Sequence, residues 1–535
     1  MQNPPPVKSA ETDRQPLFPA LARKASSLPA LLGMFLLGGT VMGRYLNIKE
    51  IPHYLGDTIN ICFEVDTWWQ LVVGKRILST GHWPSIETYS FTAHGMPWIS
   101  TEWLGEILMA FFQKLGGLTA LIILVAVLSG AVMLLLYYHA YQRCQSAMAA
   151  FFACALLLPL ASLSFSLRPQ LLGYVFLIIT LICLEKFRKG HAKALWILPI
   201  VFLLWVNAHG TFVLGFLAMG VYWVSGLWQF RVASIYAERW TPKERRQLAF
   251  TFLLCLIAST LTPYGTRLAA YPLEMIVSQA AIISTNKEWL PIGFGTFEGK
   301  TLVVFLLFFL AYQVIARPAI RVEEMALLVF ASYETWIHVR FVLLFVPVFA
   351  PLLAKLCSDL VPKGKTEKEQ CVLNAILMGA IVAALVAFFP SKKQIQHAIA
   401  TYFPASAVAY LRQHPVPAPM FNELNWGGYL TWSLTPKHQV FIDGRQDVYL
   451  DAGVLSDYHE IVQAGLRTPF LLRKYHVQSC LILRDSPLAV MLAASPKWRE
   501  VYQDNLSAVF VRQSGKQSGN TTERNAKKAK ATHSS

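Results

Sequence analysis

The sequence contains few charged residues. Only 15% of its 535 positions are Asp, Glu, Lys or Arg, whereas soluble proteins average about 25%. Hydrophobic residues make up 55%, and the mean hydropathy is +0.43. This composition excludes an ordinary soluble globular protein and indicates that most of the chain lies in lipid.

Patterns typical of metal, disulfide and nucleic-acid sites are also missing. The eight cysteines form no Cys-x-x-Cys pair and no Cys/His spacing typical of zinc. No basic stretch is interleaved with aromatic residues in a nucleic-acid motif. The net charge of +16 is therefore attributed to cytoplasmic loops that hold a membrane protein in its orientation. We expect no metal, no other cofactor, no disulfide framework and no nucleic-acid partner.

Apolar runs recur through residues 28–390, and a membrane-spanning helix needs about 20 mostly apolar residues. The sequence thus predicts a mainly α fold, a polytopic transmembrane helical bundle of about eleven spans. The predicted spans are 28–46, 117–138, 148–165, 170–185, 195–206, 212–230, 248–262, 301–316, 324–337, 341–357 and 372–390. The shorter ones suit tilted helices, or helices broken where protein shields the backbone from lipid.

Lysine and arginine alternate between the loops in agreement with the positive-inside rule. The basic loops are those around Arg143, Lys189, Arg245, Arg321 and Lys365, and the head 1–27 belongs to the same side. This pattern predicts a cytoplasmic N-terminus. With an odd number of spans, the chain after residue 390 lies outside the cytoplasm.

Residues 391–515 have mixed polarity. Strand-like runs lie at 440–442, 480–483 and 508–511, and helical stretches such as 405–413 and 454–465 lie between them. This alternation predicts a small C-terminal extracytoplasmic α/β domain. The head 1–27 and the polar tail 516–535 are expected to be disordered.

The loops predicted to lie outside carry the unusual polar residues. Ionisable groups at membrane depth are costly and mark sites or pathways. Arginine binds phosphate oxygens through its planar fork, and a carboxylate can remove a proton from a hydroxyl. This set predicts transfer of a sugar from a polyprenyl-phosphate donor. The candidate catalytic acids are Asp66 first, then Glu64 and Glu102; the candidate substrate-binding residues are Arg168, Asn207, His209, Tyr264, Glu288, His338, Arg340, Trp68 and Trp69.

Most of these residues also have a structural interpretation. Asp66 is a favoured N-cap for a helix Thr67–Leu78, and Glu102 can serve the positive end of another helix. Arg168 beside Pro169 can reach lipid phosphates. Asn207 and His209 can satisfy the open backbone of a broken helix. His338 and Arg340 can anchor the chain at the membrane interface, and the tryptophans can form an aromatic belt there.

The first outer loop, residues 47–116, resembles that of the GT-C superfamily of polytopic glycosyltransferases, which includes protein mannosyltransferases and lipid A aminoarabinose transferases. The matching runs are Asp66-Thr67-Trp68-Trp69-Gln70-Leu71, Gly74-Lys75-Arg76-Ile77-Leu78 and Gly81-His82-Trp83-Pro84. GT-C enzymes place an acidic residue there, followed by two helices along the membrane. Thr67–Leu78 and Thr101–Leu115, the latter closed by Gly116-Gly117, look like those helices. The resemblance places Asp66 in the catalytic-base position and covers residues 28–390.

Further stretches are similar to bacterial membrane proteins usually described as glycosyltransferase-like. They are Leu167-Arg168-Pro169-Gln170, Trp205-Val206-Asn207-Ala208-His209-Gly210, Thr262-Pro263-Tyr264-Gly265, Glu288-Trp289, residues 421–430 and Phe441-Ile442-Asp443-Gly444-Arg445. This similarity implies a multi-pass protein of a bacterial inner (cytoplasmic) membrane. Asp443-Gly444-Arg445 fits either a glycan contact or an ordinary turn.

Two features depart from the GT-C pattern. Glu64 and Asp66 are separated by Val65, where many members have adjacent acids. The Trp-Trp-Asp motif of oligosaccharyltransferases is absent from the sequence, which argues against their metal-dependent mechanism.

The leading hypothesis is an inverting, metal-independent glycosyltransferase. Its partners would be a lipid-linked sugar donor, an extracytoplasmic acceptor (a cell-envelope glycan, lipid or protein) and membrane lipids. Two alternatives stay open. One is a non-catalytic scaffold or lipid-binding module for envelope polysaccharide assembly, which predicts that Asp66 and Arg168 tolerate change while the 420–450 surface does not. The other is a transporter or flippase, although such proteins bind substrate near the bilayer midplane.

Overall fold

The computed structural model describes residues 25–49, 63–278, 289–360, 370–435 and 438–513. The predicted disordered tail lies outside these ranges, as does the predicted disordered head apart from residues 25–27. The described chain is mainly helical. Its helices are α1 (Leu28–Lys49), α2 (Val65–Thr80), α3 (Trp103–Cys144), α4 (Ala147–Ser162), α5 (Gln170–Arg188), α6 (Leu198–Ala208), α7 (Phe212–Ser225), α8 (Pro242–Ser259), α9 (Thr266–Ser278), α10 (Phe297–Ala316), α11 (Val322–Ile337), α12 (Val342–Leu360), α13 (Cys371–Ala387), α14 (Lys392–Tyr402), α15 (Ala405–Gln413), α16 (Leu424–Leu434), α17 (Gln446–Asp451), α18 (Val454–Val462), α19 (Thr468–Lys474) and α20 (Pro487–Ala493).

Two sheets accompany the helices. A small sheet has the order β1-β2-β3, in which β2 and β3 are parallel. A larger mixed sheet has the order β4-β5-β7-β6, with β4 parallel to β5 and both other pairs antiparallel. The strands are β1 (Phe230–Val232), β2 (Ile235–Ala237), β3 (Ile320–Arg321), β4 (Met420–Asn422), β5 (Ser479–Leu483), β6 (Trp498–Gln503) and β7 (Ser507–Arg512).

Every predicted span overlaps helical structure. By length and composition, five helices in the described part are able to cross a membrane, or six if the bent pair α13 and α14 counts as one span. The α4, α6 and α7 segments are apolar but shorter. The run 195–206 covers the end of a 3-10 helix (Ala192–Ile197) and most of α6, and only three residues separate the end of α6 from the start of α7. The number of crossings therefore remains a prediction.

α3 is 42 residues long, which at 1.5 Å per residue is about twice the hydrocarbon thickness of a bilayer. The helix is broken at Gly116-Gly117, where Gly117 has φ 61° and ψ −145°. A residue with a side chain rarely adopts this backbone conformation. The first part of α3, together with α2, therefore forms the pair of helices that the sequence predicts in the first outer loop.

The C-terminal sheet and the first outer loop share one hydrophobic core. Phe421 of β4, Ile482 of β5 and Phe510 of β7 pack in the same cluster as Val73 of α2 and Trp98 of the outer loop. A Cβ added at Gly428 of α16 would come within 2.7 Å of the Val65 carbonyl oxygen. The absence of a side chain there lets α16 lie directly on the start of α2.

The run 440–442 was expected to be a strand, and that expectation is wrong. Val440 makes only an isolated bridge to Ser90, and its N–H donates to the carbonyl oxygen of Tyr89. The segment is buried, and the backbone partner of Val440 is the first outer loop. Strand propensity alone does not reveal such a distant partner.

Candidate active site

A cavity of about 460 Å³ lies between the helical bundle, the first outer loop and the C-terminal region. Its volume is in the range of small-molecule sites, about 300–1,000 Å³. Apolar lining comes from the helices α7, α11 and α12, for example Leu214, Phe330 and Leu344. Polar lining comes from helix ends and loops, namely Asp66, Glu102, Arg168, His209, Arg340 and Asp447. The cavity therefore suits a ligand with an apolar chain and a charged head.

Asp66 forms an ion pair with Arg168 in this cavity. Arg168 places Nη2 at 3.1 Å from Asp66 Oδ2 and Nη1 at 2.9 Å from Glu64 Oε2. The Trp69 indole N–H donates to Asp66 Oδ1 at 3.0 Å. The Asp66 side chain remains 24% exposed. Its carboxylate is thus held in one orientation and stays accessible.

The beginning of α2 explains how this pair forms. The N-cap residue of α2 is Glu64, and its backbone N–H donates to Thr67 Oγ1 at 3.0 Å. The Thr67 hydroxyl in turn donates to the Leu167 carbonyl oxygen at 2.9 Å. Asp66 is therefore not the N-cap, as its structural interpretation required. The hydrogen bond from Thr67 instead joins the start of α2 to the segment that precedes α5, and this places Arg168 beside Asp66.

A second carboxylate, Glu102, is paired with His209. His209 Nε2 lies 3.1 Å from Glu102 Oε1, and the Gln70 side-chain amide donates to Glu102 Oε2 at 2.8 Å. Burial lowers the pKa of His209 well below its usual value, and the positive charges of Arg340 and Arg168 lower it further. The contact is therefore a hydrogen bond from neutral imidazole to the carboxylate, rather than an ion pair.

The other ring nitrogen determines the tautomer. The Thr211 backbone N–H donates to His209 Nδ1 at 3.2 Å, so Nδ1 is an acceptor and the proton is on Nε2. Glu102 is the N-cap residue of α3, yet its side chain makes no capping hydrogen bond. Its carboxylate faces His209 and the cavity instead.

Arg340 lines the cavity on the side of α12. Its guanidinium lies over the Trp289 ring, 4.4 Å from the centroid. His338 does not line the cavity, but its Nδ1 lies 2.6 Å from the Trp289 carbonyl oxygen. His338 thus supports Trp289, and Trp289 supports Arg340. In the described part of the chain, Arg340 makes no ion pair with a carboxylate.

Several predicted binding residues lie outside the cavity. Asn207 Oδ1 accepts from the Trp103 indole, and its amide donates to the carbonyl oxygens of Leu203 and Leu261. It satisfies the end of the broken α6. The Tyr264 hydroxyl accepts from the Ser100 N–H and donates to the Pro84 carbonyl.

Trp68 is fully buried. Its ring packs against Phe403, Tyr429 and Trp432 at centroid distances between 4.9 and 5.3 Å. It joins α2 to the C-terminal region and is not in an aromatic belt. Glu288 lies outside the described residues.

Most residues of one cavity wall were not predicted from the sequence. Residues 444–447 line the cavity together with Tyr271 of α9. The buried Asp443 forms an ion pair with Arg445 at 2.6 Å, and Arg445 forms a second ion pair with Glu87 at 2.8 Å. The Asp-Gly-Arg run is thus part of a buried ion network rather than an ordinary exposed turn. The similarity of Asp443-Gly444-Arg445 to glycosyltransferase-like proteins was the one feature of the sequence that indicated a role for this run.

Solved structures of two proteins, ArnT and the oligosaccharyltransferase AglB, match this structure. ArnT from Cupriavidus metallidurans bound to undecaprenyl phosphate matches with a TM-score of 0.51 and 12% identity, over 90% of this chain and 98% of that chain. Its apo form matches with a TM-score of 0.49 and 14% identity, over 89% and 97%. The oligosaccharyltransferase AglB from Archaeoglobus fulgidus, in complex with an inhibitory peptide and a dolichol-phosphate, matches with a TM-score of 0.48 and 12% identity, over 84% and 69%.

No protein-family model and no curated protein matches the sequence. The similarity to ArnT at this level of identity defines the fold. The chain has a fold similar to that of ArnT, in agreement with the resemblance of its first outer loop to the GT-C superfamily.

Proposed function

We propose that this protein is a membrane glycosyltransferase that moves a sugar from a polyprenyl-phosphate-linked donor to an extracytoplasmic acceptor. One observation carries the proposal. The accessible Asp66 carboxylate is held by Arg168 in a cavity whose lining is partly apolar and partly charged. A lipid-linked sugar phosphate has matching chemistry, because it combines an apolar chain, an anionic phosphate and a polar sugar.

Arg340 is the proposed phosphate-binding residue. The other cavity arginines are already neutralised, since Arg168 contacts Glu64 and Asp66, and Arg445 contacts Asp443 and Glu87. Arg340 has no carboxylate partner in the described chain. When the sugar leaves, the phosphate gains negative charge, and a preoriented guanidinium stabilises that charge. Arginine thereby supplies the positive charge in this metal-independent proposal.

Asp66 is the proposed general base. The acceptor hydroxyl attacks C1 of the sugar while its proton passes to the Asp66 carboxylate. The bond between C1 and the phosphate oxygen breaks, and its electron pair stays on the phosphate. A single displacement of this kind inverts the configuration at C1. Glu64 serves with Asp66 as a ligand of Arg168, and the neutral His209 donates to Glu102, the second candidate base.

We further propose that the cavity opens away from the cytoplasm of a bacterial inner membrane, with residues 28–390 as the membrane domain and 391–515 as an extracytoplasmic domain. Contacts at the opposite end support this topology. Arg143 pairs with Glu324 at 2.8 Å, and Arg321 pairs with Glu185 at 2.7 Å. Each contact involves an arginine, Arg143 or Arg321, in a segment that the positive-inside rule assigns to the cytoplasm.

The scaffold alternative required an accessible 420–450 surface for partners. Much of this stretch is buried, including Phe421, Trp426, Leu430 and Phe441, and residues 444–447 belong to the cavity wall. The transporter alternative has no specific observation in its favour.

The direct test is Asp66→Asn in the full-length protein in nanodiscs, assayed with labelled polyprenyl-phosphate sugars and host membrane glycans as acceptors. Loss of a general base lowers turnover by roughly 10²–10⁴-fold, whereas binding of undecaprenyl phosphate should change little. Glu102→Gln distinguishes the second candidate base, and Asp485→Asn, at an exposed acid, is the matched control. Normal transfer by a folded Asp66→Asn protein would refute the assignment.

A further inference from the structure

One part of the cavity has no role in the chemistry above. Gln446 and Asp447 line it at the start of α17, and Tyr271 of the amphipathic helix α9 lies beside them. The Tyr271 hydroxyl donates a hydrogen bond to Asp447 Oδ2 at 2.9 Å. The phenol therefore holds the carboxylate in a defined orientation at the cavity wall.

The positive charge of Arg445 stabilises the Asp447 carboxylate without a direct ion pair. Arg445, two residues earlier, places Nη2 at 2.6 Å from Asp443 Oδ2 and at 2.8 Å from Glu87 Oε1. In the part of the chain that is described, no Lys, Arg or His forms an ion pair with Asp447. Burial raises the pKa of the Asp447 carboxyl, and the hydrogen bond from Tyr271 offsets part of that effect.

Such a group needs polar ligands, because a carboxylate removed from water is unfavourable unless it is hydrogen-bonded. An ionised carboxylate accepts through both oxygens, and each hydrogen bond to a charged group is stronger than a neutral one. Sugar hydroxyls are suitable donors. A carboxylate on the sugar would instead be repelled, because like charges at close range are unfavourable.

We propose that Asp447, oriented by Tyr271, is the sugar-recognising residue of the cavity and selects donors whose sugar is uncharged. This inference rests on the proposed function. In this arrangement Arg340 binds the phosphate common to all lipid-linked donors, whereas Asp447 binds the hydroxyls of the transferred sugar. Tyr271 is a positioning residue that acts through Asp447.

The experiment measures equilibrium binding to the full-length protein in nanodiscs. The probes are undecaprenyl phosphate, its glucosyl, mannosyl and galactosyl derivatives, and the glucuronosyl derivative. We expect the wild-type protein to bind at least one neutral-sugar lipid more tightly than undecaprenyl phosphate and the glucuronosyl lipid. Asp447→Asn should reduce that preference about tenfold, the effect of losing one charge-assisted hydrogen bond, and should leave undecaprenyl phosphate binding unchanged.

Two further variants test whether the effect is specific. Tyr271→Phe keeps the charge of Asp447 and removes its orienting bond, so the sugar preference should fall by a smaller factor, roughly threefold. Asp451→Asn removes an exposed acid from the same helix and should change nothing. Asn at 447 can still accept the Tyr271 hydrogen bond, so folding should be preserved and is checked by thermal unfolding.

The outcomes separate this inference from the proposed function. If no lipid phosphate binds to the wild-type protein, both are overturned. If lipid phosphates bind but no sugar is preferred, or if Asp447→Asn keeps the wild-type preference, the sugar-recognition assignment fails and the phosphate assignment stands. An equal loss of affinity for every probe, with or without a sugar, would also contradict a sugar-specific role.

Discussion

Gly444 lies directly against Asp66. A Cβ at position 444 would come within 2.2 Å of Asp66 Oδ1 and 3.2 Å of the Trp69 indole nitrogen. These residues are separated by most of the chain, yet they form adjacent parts of one cavity wall. The orientation of the proposed base therefore depends on the C-terminal region.

Gly444→Ala should lower transfer activity on the order of 10²-fold, because a displacement of about 1 Å in a catalytic group has an effect of that size. Thermal stability should fall much less. Turnover and the unfolding temperature are measured on the same preparation. Gly220→Ala is the control: no atom lies within 4 Å of an added Cβ there, and alanine favours a helix. Activity at the wild-type level in Gly444→Ala would show that Asp66 tolerates displacement.

Arg340→Ala should weaken binding of undecaprenyl phosphate by roughly 10–100-fold, because hydrogen bonds to a charged group contribute about 1.5–3 kcal/mol. The affinity of Arg340→Lys for undecaprenyl phosphate should lie between those of the wild-type protein and Arg340→Ala, since lysine retains the charge but loses the planar fork. Binding is measured with the full-length protein in nanodiscs. Arg484→Ala removes an exposed guanidinium and serves as the control. Unchanged affinity in Arg340→Ala would place the phosphate elsewhere.

His209 should make stability depend on pH. Burial, together with Arg340 and Arg168, holds its folded-state pKa well below the value of about 6.5 found in unfolded chains. The unfolded state therefore binds more protons below pH 6.5, and the free energy of unfolding should fall as pH decreases, by at most about 1.4 kcal/mol per pH unit. Above that pH the contribution is constant.

His209→Asn should remove this component while its amide can still donate to Glu102. Thermal unfolding between pH 5 and 7.5 is compared for the wild-type protein, His209→Asn and the control His82→Asn, which changes an exposed histidine. Equal pH dependence in all three proteins would mean that His209 is not held neutral.

The ion network at the opposite end of the bundle should be important for stability. Arg321 Nη2 donates to Glu185 Oε2 at 2.7 Å and to Glu324 Oε1 at 2.8 Å, with only 7% of its side chain exposed. Arg321→Met removes the cation that joins Glu185 to Glu324, although Lys189 and Arg143 still contact these acids, and should destabilise the protein by about 3 kcal/mol. Lys355→Met breaks the exposed pair with Asp359 and should have an effect below about 1 kcal/mol. Similar unfolding temperatures for both variants would contradict a larger contribution of the Arg321 network to stability.

Several features of the fold and site were predictable because their signals are local. Apolar runs and basic loops predicted the helical bundle, and the Asp66 run predicted the two helices of the first outer loop. The grouping of Asp66, Glu102, Arg168, His209 and Arg340 was also anticipated. The sequence predicts that each lies at a helix end on one side of the bundle, and the structure brings all five to one cavity.

Other assignments depended on contacts that a linear pattern does not contain. Trp68 resembles an interfacial tryptophan in sequence but is buried under α16, since Tyr429 and Trp432 cover it. Asn207 binds the Trp103 indole and the backbone near Leu261 instead of facing the cavity. His338 acts on the Trp289 backbone. In each case a partner far along the chain determines what the polar or aromatic group does.

The primary structure was sufficient for the class of fold and for its apolar, helix-rich part, because hydropathy acts on each segment separately. The pairing of Arg168 with Asp66, the lowered pKa of His209 and the place of Gly444 and Asp447 in the cavity arise from folding. They require distant segments to pack within hydrogen-bonding distance, and that proximity depends on how the C-terminal region fits onto α2.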